Sequence, residues 1–256
     1  MSTWREHPLC ASPTPWPARF WGPERLDPTA WRELAGRLVI DDEVARLCAV
    51  LAGADRIVDV GGGTGLLTQA LAAQVAPVTI VEPSAEQRAH LPPGLTAIAG
   101  RAEAVPLPDA SADAAIATWV LQYCDDPAQA VRELARLARR RVAIVQAAPD
   151  NQLVDIYNAE AAVAGLPPAH HGWLLALAAE TLGAVGFAIE LTRVRAPVRV
   201  APAEADAVAD TLARLHFAGH PALPAMRAAT APLIAGFARD GALIDDGVLL
   251  LARRPR

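Results

Sequence analysis

The period of the apolar residues changes several times along this chain, and each change predicts an element. Short β-prone runs fall at about 56–60, 77–82, 95–99 and 113–118. A fifth, at 142–145, is continuously apolar, as a strand covered on both faces should be. Helical spacing fills the gaps. Leu66, Leu67, Ala70, Leu71 and Ala72 mark a helix over about 65–74. Ser84-Ala85-Glu86-Gln87 fits a capping box for a helix that stops at Pro92-Pro93. Asp126-Pro127 opens a helix to about 138, with Val131, Leu134, Ala135, Leu137 and Ala138 on its inner face. Strands alternating with helices predict an α/β fold with a parallel, doubly wound sheet, whose ligands sit at the carboxyl ends of the strands.

The flanks are less regular. Residues 1–23 set Trp4, Trp16, Phe20 and Trp21 among prolines, which reads as an irregular arm that packs on the domain or covers its site. Asp27-Pro28 starts a helix that buries Trp31, Leu34, Ala35, Leu38 and Val39, and a second helix spans about 41–52 before Gly53. After the fifth strand, 149–171 shows no clear period. A helix over about 172–184 and a strand over about 187–200 follow. Residues 203–240 are helical apart from Gly219-His220-Pro221, and a last strand runs from 248 to 252. The reading is one domain over 1–256, with an arm and helices (1–53), a core (54–148) and a substrate-side half (149–256). Its helical stretch, about 203–240, is either a cap over the site or an extra layer away from it.

The chemistry concentrates where the first strand ends, in Asp59-Val60-Gly61-Gly62-Gly63-Thr64-Gly65. Glycine there permits φ > 0 and close approach of a ligand, and the free amides of the next helix suit polar or anionic groups. The second strand ends at Glu82, seventeen residues after Gly65, where a carboxylate is placed for the two hydroxyls of a ribose. A dinucleotide fingerprint starting at Gly61 would need Gly or Ala at position 66, which is Leu66.

That run resembles the E/D-x-G-x-G-x-G motif of class I S-adenosylmethionine-dependent methyltransferases. Gly100-Arg101-Ala102-Glu103-Ala104-Val105-Pro106-Leu107-Pro108-Asp109 is similar to a second stretch of their UbiE-like branch. The segment from Asp113 to Val120-Leu121-Gln122-Tyr123, with Asp126-Pro127, is similar to that branch's fourth strand. The resemblance covers about 55–146. It implies a Rossmann-like, doubly wound seven-stranded sheet with N-terminal helices, and here a helical insertion before the last strand. It also implies S-adenosylmethionine as cofactor and S-adenosylhomocysteine as product. Gly61, Gly63 and Gly65 would face the methionine and ribose, Glu82 the ribose hydroxyls, and Asp59 the loop or the methionine end. Ala102 and Glu103 would lie at the adenine, because the position where relatives carry a carboxylate is Arg101, which cannot accept a hydrogen bond. Thr118 and Trp119 would lie beside the sulfonium, the tryptophan either as a π face or as packing.

Methyl transfer needs proximity, and a base only if the nucleophile arrives protonated. Tyr123 is the first candidate, with a structural tyrosine as the other reading. Tyr157, His170, His171, His216 and His220 follow, and Phe20, Trp21, Tyr157, His170 and His171 are candidates to touch the acceptor. No metal constellation occurs. The expected function is methylation of a small-molecule or short-peptide acceptor by a monomer or homodimer. The alternative is an inactive binding protein of the same fold.

Composition narrows the rest. The net charge of −5 argues against nucleic acid as partner, and every one of the 23 basic residues is arginine, which leaves no lysine base. Cys10, Cys48 and Cys124 have no ligand spacing and read as reduced thiols. With no apolar signal segment and no membrane-length run, the expected location is the cytoplasm.

Overall fold

A computed structural model describes residues 4–10, 26–168 and 173–255. Its main sheet has seven strands in the order β3-β2-β1-β4-β5-β9-β6: β1 (Ile57–Val60), β2 (Val78–Val81), β3 (Ala97–Ile98), β4 (Ala112–Thr118), β5 (Ala138–Ala147), β6 (Ala188–Val194) and β9 (Gly247–Arg253). Pairings from β3 through β5 are parallel, and β9 runs antiparallel to both β5 and β6. The chain first moves outward from β1 to β3 and then returns to place β4 on the other side of β1. The two halves therefore diverge at β1/β4, which opens a crevice at the carboxyl ends there.

The local sequence accounts for these elements. All four residues of β1 are buried, as is nearly all of β4, because helices cover both faces. Helix α3 (Leu66–Gln74) follows the glycine turn, and α4 (Ala85–Ala89) is capped by Ser84, whose Oγ accepts from the Gln87 amide. Helix α5 (Pro127–Leu137) is capped by Asp126, and α1 (Pro28–Ala35) by Asp27, each with proline in its first turn. Helix α2 (Asp41–Leu51) buries Leu47 and Leu51 against β1, β4 and β5. On the opposite face, α5 and α7 (Trp173–Ala184) pack with the 3₁₀ turn Trp4–Glu6 nearby; Trp4, Leu9 and Cys10 join that core, so the start of the arm is pinned.

The second half departs from the expected pattern in three places. Residues 149–171, read as aperiodic, contain α6 (Gln152–Val163). Its apolar residues lie all round it because a strand near the chain's end, β8 (Ala242–Ile244), and two helices, α8 (Ala205–Phe217) and α9 (Leu223–Phe237), cover it. The strand expected over 187–200 breaks after Val194. Its continuation, β7 (Pro197–Arg199), leaves the main sheet and pairs antiparallel with β8 (Ala242–Ile244). That ribbon is the neck of the insertion, which carries α8 (Ala205–Phe217) and α9 (Leu223–Phe237), separated at the expected Gly219-His220-Pro221. Helices α1, α6, α8 and α9 with the neck form a second apolar cluster. Among the described residues no helix is long and apolar enough to cross a membrane, and no group of His, Cys, Asp or Glu could hold a metal ion.

Candidate active site

The glycine turn sets the first half of the site. Gly61 has φ 78°, and a Cβ on it would come 2.5 Å from Val120 Cγ2, so the close approach of the β1 and β4 ends excludes a side chain. Gly63, at φ 56°, has open space where its Cβ would be, which leaves room above the turn. Asp59 lies beneath the turn, buried. Its Oδ2 accepts from Thr68 Oγ1, and its Oδ1 has no partner. Burial pushes its carboxyl up to about 6, against the Thr68 hydrogen bond and helped by the charge of Glu82. Glu82 closes this half. Its Oε2 accepts from the Gly63 amide at 3.1 Å and its Oε1 from the Ser84 amide at 2.8 Å. A carboxylate has about four acceptor positions, so about two remain for hydroxyls. Burial raises its pKa, opposed by those two amides.

The stretch after β3 is built around a surface network. Arg101 pairs with Asp125 at 2.5 Å and with Glu103 at 3.5 Å. Glu103 Oε1 also accepts from the Asp125 amide at 2.7 Å, so its carboxylate holds the loop before α5. Ala102 packs against the core, and Gly100 is required because a Cβ there would lie 2.6 Å from Pro106 Cδ.

At the end of β4, Thr118 is half-buried and Trp119 takes the left-handed conformation, φ 59°. Such backbone costs about 1–3 kcal/mol in a non-glycine residue and is held by its surroundings. Here the Trp119 amide donates to Val145 O at 2.9 Å, and Nε1 donates to both carboxylate oxygens of Glu43 at 3.1 and 3.3 Å. Glu43, on α2, is 1 % exposed; burial pushes it up to about 7, against the Trp119 hydrogen bond.

The second half lies beyond Trp119. Tyr123, in the 3₁₀ turn Leu121–Tyr123, meets His216 of α8, with its hydroxyl 3.4 Å from Nε2. Tyr157 of α6 stands edge-on to His216, with ring centres 4.7 Å apart. Burial pushes His216 down to about 4, so its ring is neutral at physiological pH, and raises the phenols of Tyr123 and Tyr157. Asp245 sits where the neck re-enters the sheet and accepts from Asn151 Nδ2 at 2.7 Å; burial pushes it up to about 8.

The structure therefore brings Asp59, Gly61, Gly63 and Glu82 together, and sets Thr118, Trp119 and Tyr123 at the adjoining strand end with Tyr157 across from them. Ala102 and Glu103 lie at the edge of the first half. Phe20, Trp21, His170 and His171 lie outside the described residues. Sequence reading missed Glu43 and Asp245. Glu43 follows Asp41 and Asp42 in the first helical turn, where acids ordinarily complement the helix dipole. Asp245-Asp246-Gly247 has the look of a turn.

Comparison with known proteins agrees with this geometry. Residues 58–145 match the family model described as a methyltransferase domain. An uncharacterized methyltransferase of Mycobacterium bovis is 40% identical over 92 residues, 34% of this chain and 37% of that protein. A chloroplastic 2-methyl-6-phytyl-1,4-hydroquinone methyltransferase of rice is 33% identical over 91 residues, 33% of this chain and 26% of that one. The match thus spans between about a quarter and a little more than a third of the length of these curated relatives. Among solved structures, the YcgJ protein of Bacillus subtilis superposes with TM-score 0.59 at 16% identity, covering 83% of this chain and 98% of that one. Magnesium protoporphyrin IX methyltransferase of Synechocystis, solved with bound S-adenosylhomocysteine, superposes with TM-score 0.52 at 19% identity, covering 84% and 81%. Those structural likenesses establish the fold. The matched core, residues 58–145, is similar to the methyltransferase domain.

Proposed function

We propose that the chain transfers a methyl group from S-adenosylmethionine to a small-molecule or short-peptide acceptor. The observation that carries this reading is the partly unsatisfied acid pair at the turn. Asp59 keeps an unpartnered buried oxygen and Glu82 keeps spare acceptor positions, beside the open space over Gly63. Such a set fits a ligand with a ribose diol and positive charge, and the cofactor, when bound, supplies an activated methyl on a sulfonium. Glu82 would take the 2′ and 3′ hydroxyls, the glycine turn would lie against ribose and methionine, and Asp59 would steady the cationic end. Ala102 and Glu103 would border the adenine, with Glu103 already spanning to the Asp125 amide. Thr118 and Trp119 would form the boundary between donor and acceptor, Trp119 held there by Glu43.

The acceptor would lie beyond that boundary, against Tyr123, Tyr157 and His216. The turn after β4, α6 and the insertion helix α8 each contribute one of these rings, which supports the insertion as a cap over the site. Tyr123, its phenol kept protonated by burial, is suited to orient the acceptor and to hydrogen-bond His216. Incubation with methyl-labelled S-adenosylmethionine and a panel of amines, phenols and carboxylic acids tests the reading. Label should appear on one acceptor class. Tight binding of the cofactor with no transfer to any of them would favour the inactive binding protein instead.

A further inference from the structure

A nucleoside whose ribose is held by Glu82 has one place for its base. Glu82 ends β2, and the next strand end away from β4 is that of β3. The chain leaving β3 lies directly against it. The Glu82 amide donates to Ile98 O at 3.0 Å, and a Cβ on Gly100 would come 2.9 Å from Val81 Cγ1. Arg101 to Ala104 then form a tight turn, closed by the Ala104 amide donating to Arg101 O at 3.1 Å. The base would lie against this turn.

Three acids stand on the turn or on the loop it meets, and each is engaged elsewhere. Glu103 Oε1 accepts from the Asp125 amide at 2.7 Å and the Asp126 amide at 3.5 Å, while Oε2 faces Arg101 Nε at 3.5 Å. The Asp125 side chain is 86 % exposed and pairs with Arg101. Asp126 caps α5 through the Gln129 amide and reaches Arg132. What the turn has left is donors. The amides of Ala102 and Glu103, its two central residues, make no hydrogen bond among the described residues. The Arg101 guanidinium carries N–H groups and no lone pair to offer. Donors suit the ring nitrogens of adenine, but its 6-amino group needs an acceptor, and none of these side chains supplies one. The Arg101–Asp125 pair is too exposed for stability to be the reason for an arginine here.

We propose that Arg101 sets the base specificity of this site by withholding an acceptor: the pocket does not read the 6-position of the purine, and it admits a 6-oxo nucleoside as readily as adenosine. This rests on the methyltransferase reading and defines which cofactors the site accepts. A site built to hydrogen-bond a group rejects the analogue that lacks it, because its own polar atoms are left unpaired. Here there is no side-chain acceptor to leave unpaired. The amino group of adenine keeps its hydrogen bonds to water at the exposed Arg101–Asp125 edge. A 6-oxo group at the same place meets donors.

The test titrates the full-length protein with S-adenosylhomocysteine and with S-inosylhomocysteine, its 6-oxo analogue, by calorimetry. The proposal expects the two affinities to lie within fivefold of each other. Arg101→Asp sets an acceptor on the turn and should raise the preference for the adenosyl compound at least tenfold. Arg101→Asn supplies an acceptor without a new charge beside Glu103 and Asp125, and should do the same if the aspartate variant does not fold. A preference for S-adenosylhomocysteine greater than fivefold in the wild type, or a ratio that shifts less than tenfold in the folded variants, would overturn the proposal. Either result, with S-adenosylhomocysteine still bound, leaves the methyltransferase reading standing. Failure of both compounds to bind strikes that reading, and the proposal with it.

Discussion

At the scale of single residues, the site depends on buried carboxylates and on what each hydrogen-bonds. Glu82 was legible from its place after the second strand. Asp59 was legible too, because an acid in an otherwise apolar strand that ends in glycines has few structural reasons to be there. Glu43 and Asp245 were not, since their partners are distant in sequence: Trp119 is on another strand end and Asn151 starts another helix. Changing Glu82 to Ala should weaken S-adenosylhomocysteine binding by ~1.5–3 kcal/mol, through loss of a charge-assisted acceptor. Calorimetry reads this directly, and an unchanged affinity would remove Glu82 from the ribose. Glu43 predicts a graded outcome. Glu43→Gln keeps an acceptor for Trp119 Nε1, whereas Glu43→Ala leaves that donor buried and alone, at a cost of roughly 1–3 kcal/mol in urea denaturation. Equal losses in the two variants would mean that the hydrogen bond does not hold Trp119.

At the scale of elements, capping and apolar runs told most of the story. Ser84, Asp126 and Asp27 cap the helices they were expected to cap. The parallel strands were legible because burial on both faces leaves them mostly apolar. Helix α6 was hidden for a related reason. Covered on several sides, it shows no polar stripe, although Asn151 stands at its N-cap. The ribbon of β7 and β8 was hidden because three-residue strands that pair across more than forty residues leave no local pattern. Asn151 joins the two. Its Oδ1 accepts from the Val154 amide at 3.0 Å while its Nδ2 donates to Asp245 Oδ1 and, at 3.1 Å, to Asp246 O. Asn151→Ala should therefore cost about 2 kcal/mol or more, beyond an ordinary cap, because Asp245 loses its donor as well. A loss well under 1 kcal/mol in chemical denaturation would show that the neck holds without it.

At the scale of the whole molecule, the raised acids set how stability varies with pH. Burial pushes Glu160 up to about 8, well above a carboxyl in the unfolded chain. The folded state therefore holds this proton more tightly than the unfolded state. The stability linked to it is fully present below about pH 4.5 and is lost as pH rises through about 8. Glu160→Gln removes the titration, so the variant should lose less stability than the wild type between pH 5 and 8.5, by on the order of 3 kcal/mol. Parallel pH profiles for the two proteins would place the Glu160 carboxyl in a wetter setting than the structure gives it.

The molecule as a whole is a sheet that divides its work at β1/β4, with acids and glycines on one side and, beyond Trp119, rings carried partly by the insertion. The glycine-turn half of the candidate site could be read from one contiguous stretch and one distant acid. The ring-lined half could not, because α6, α8 and the neck come together only in the fold. The claim on which both halves depend is that the glycine turn, Asp59 and Glu82 hold S-adenosylmethionine. Calorimetric titration of the purified protein with S-adenosylhomocysteine, with NAD as control, tests it most directly. The account predicts saturable binding of the first, of micromolar strength, and none of the second. Binding of NAD, or no binding of S-adenosylhomocysteine, would contradict it.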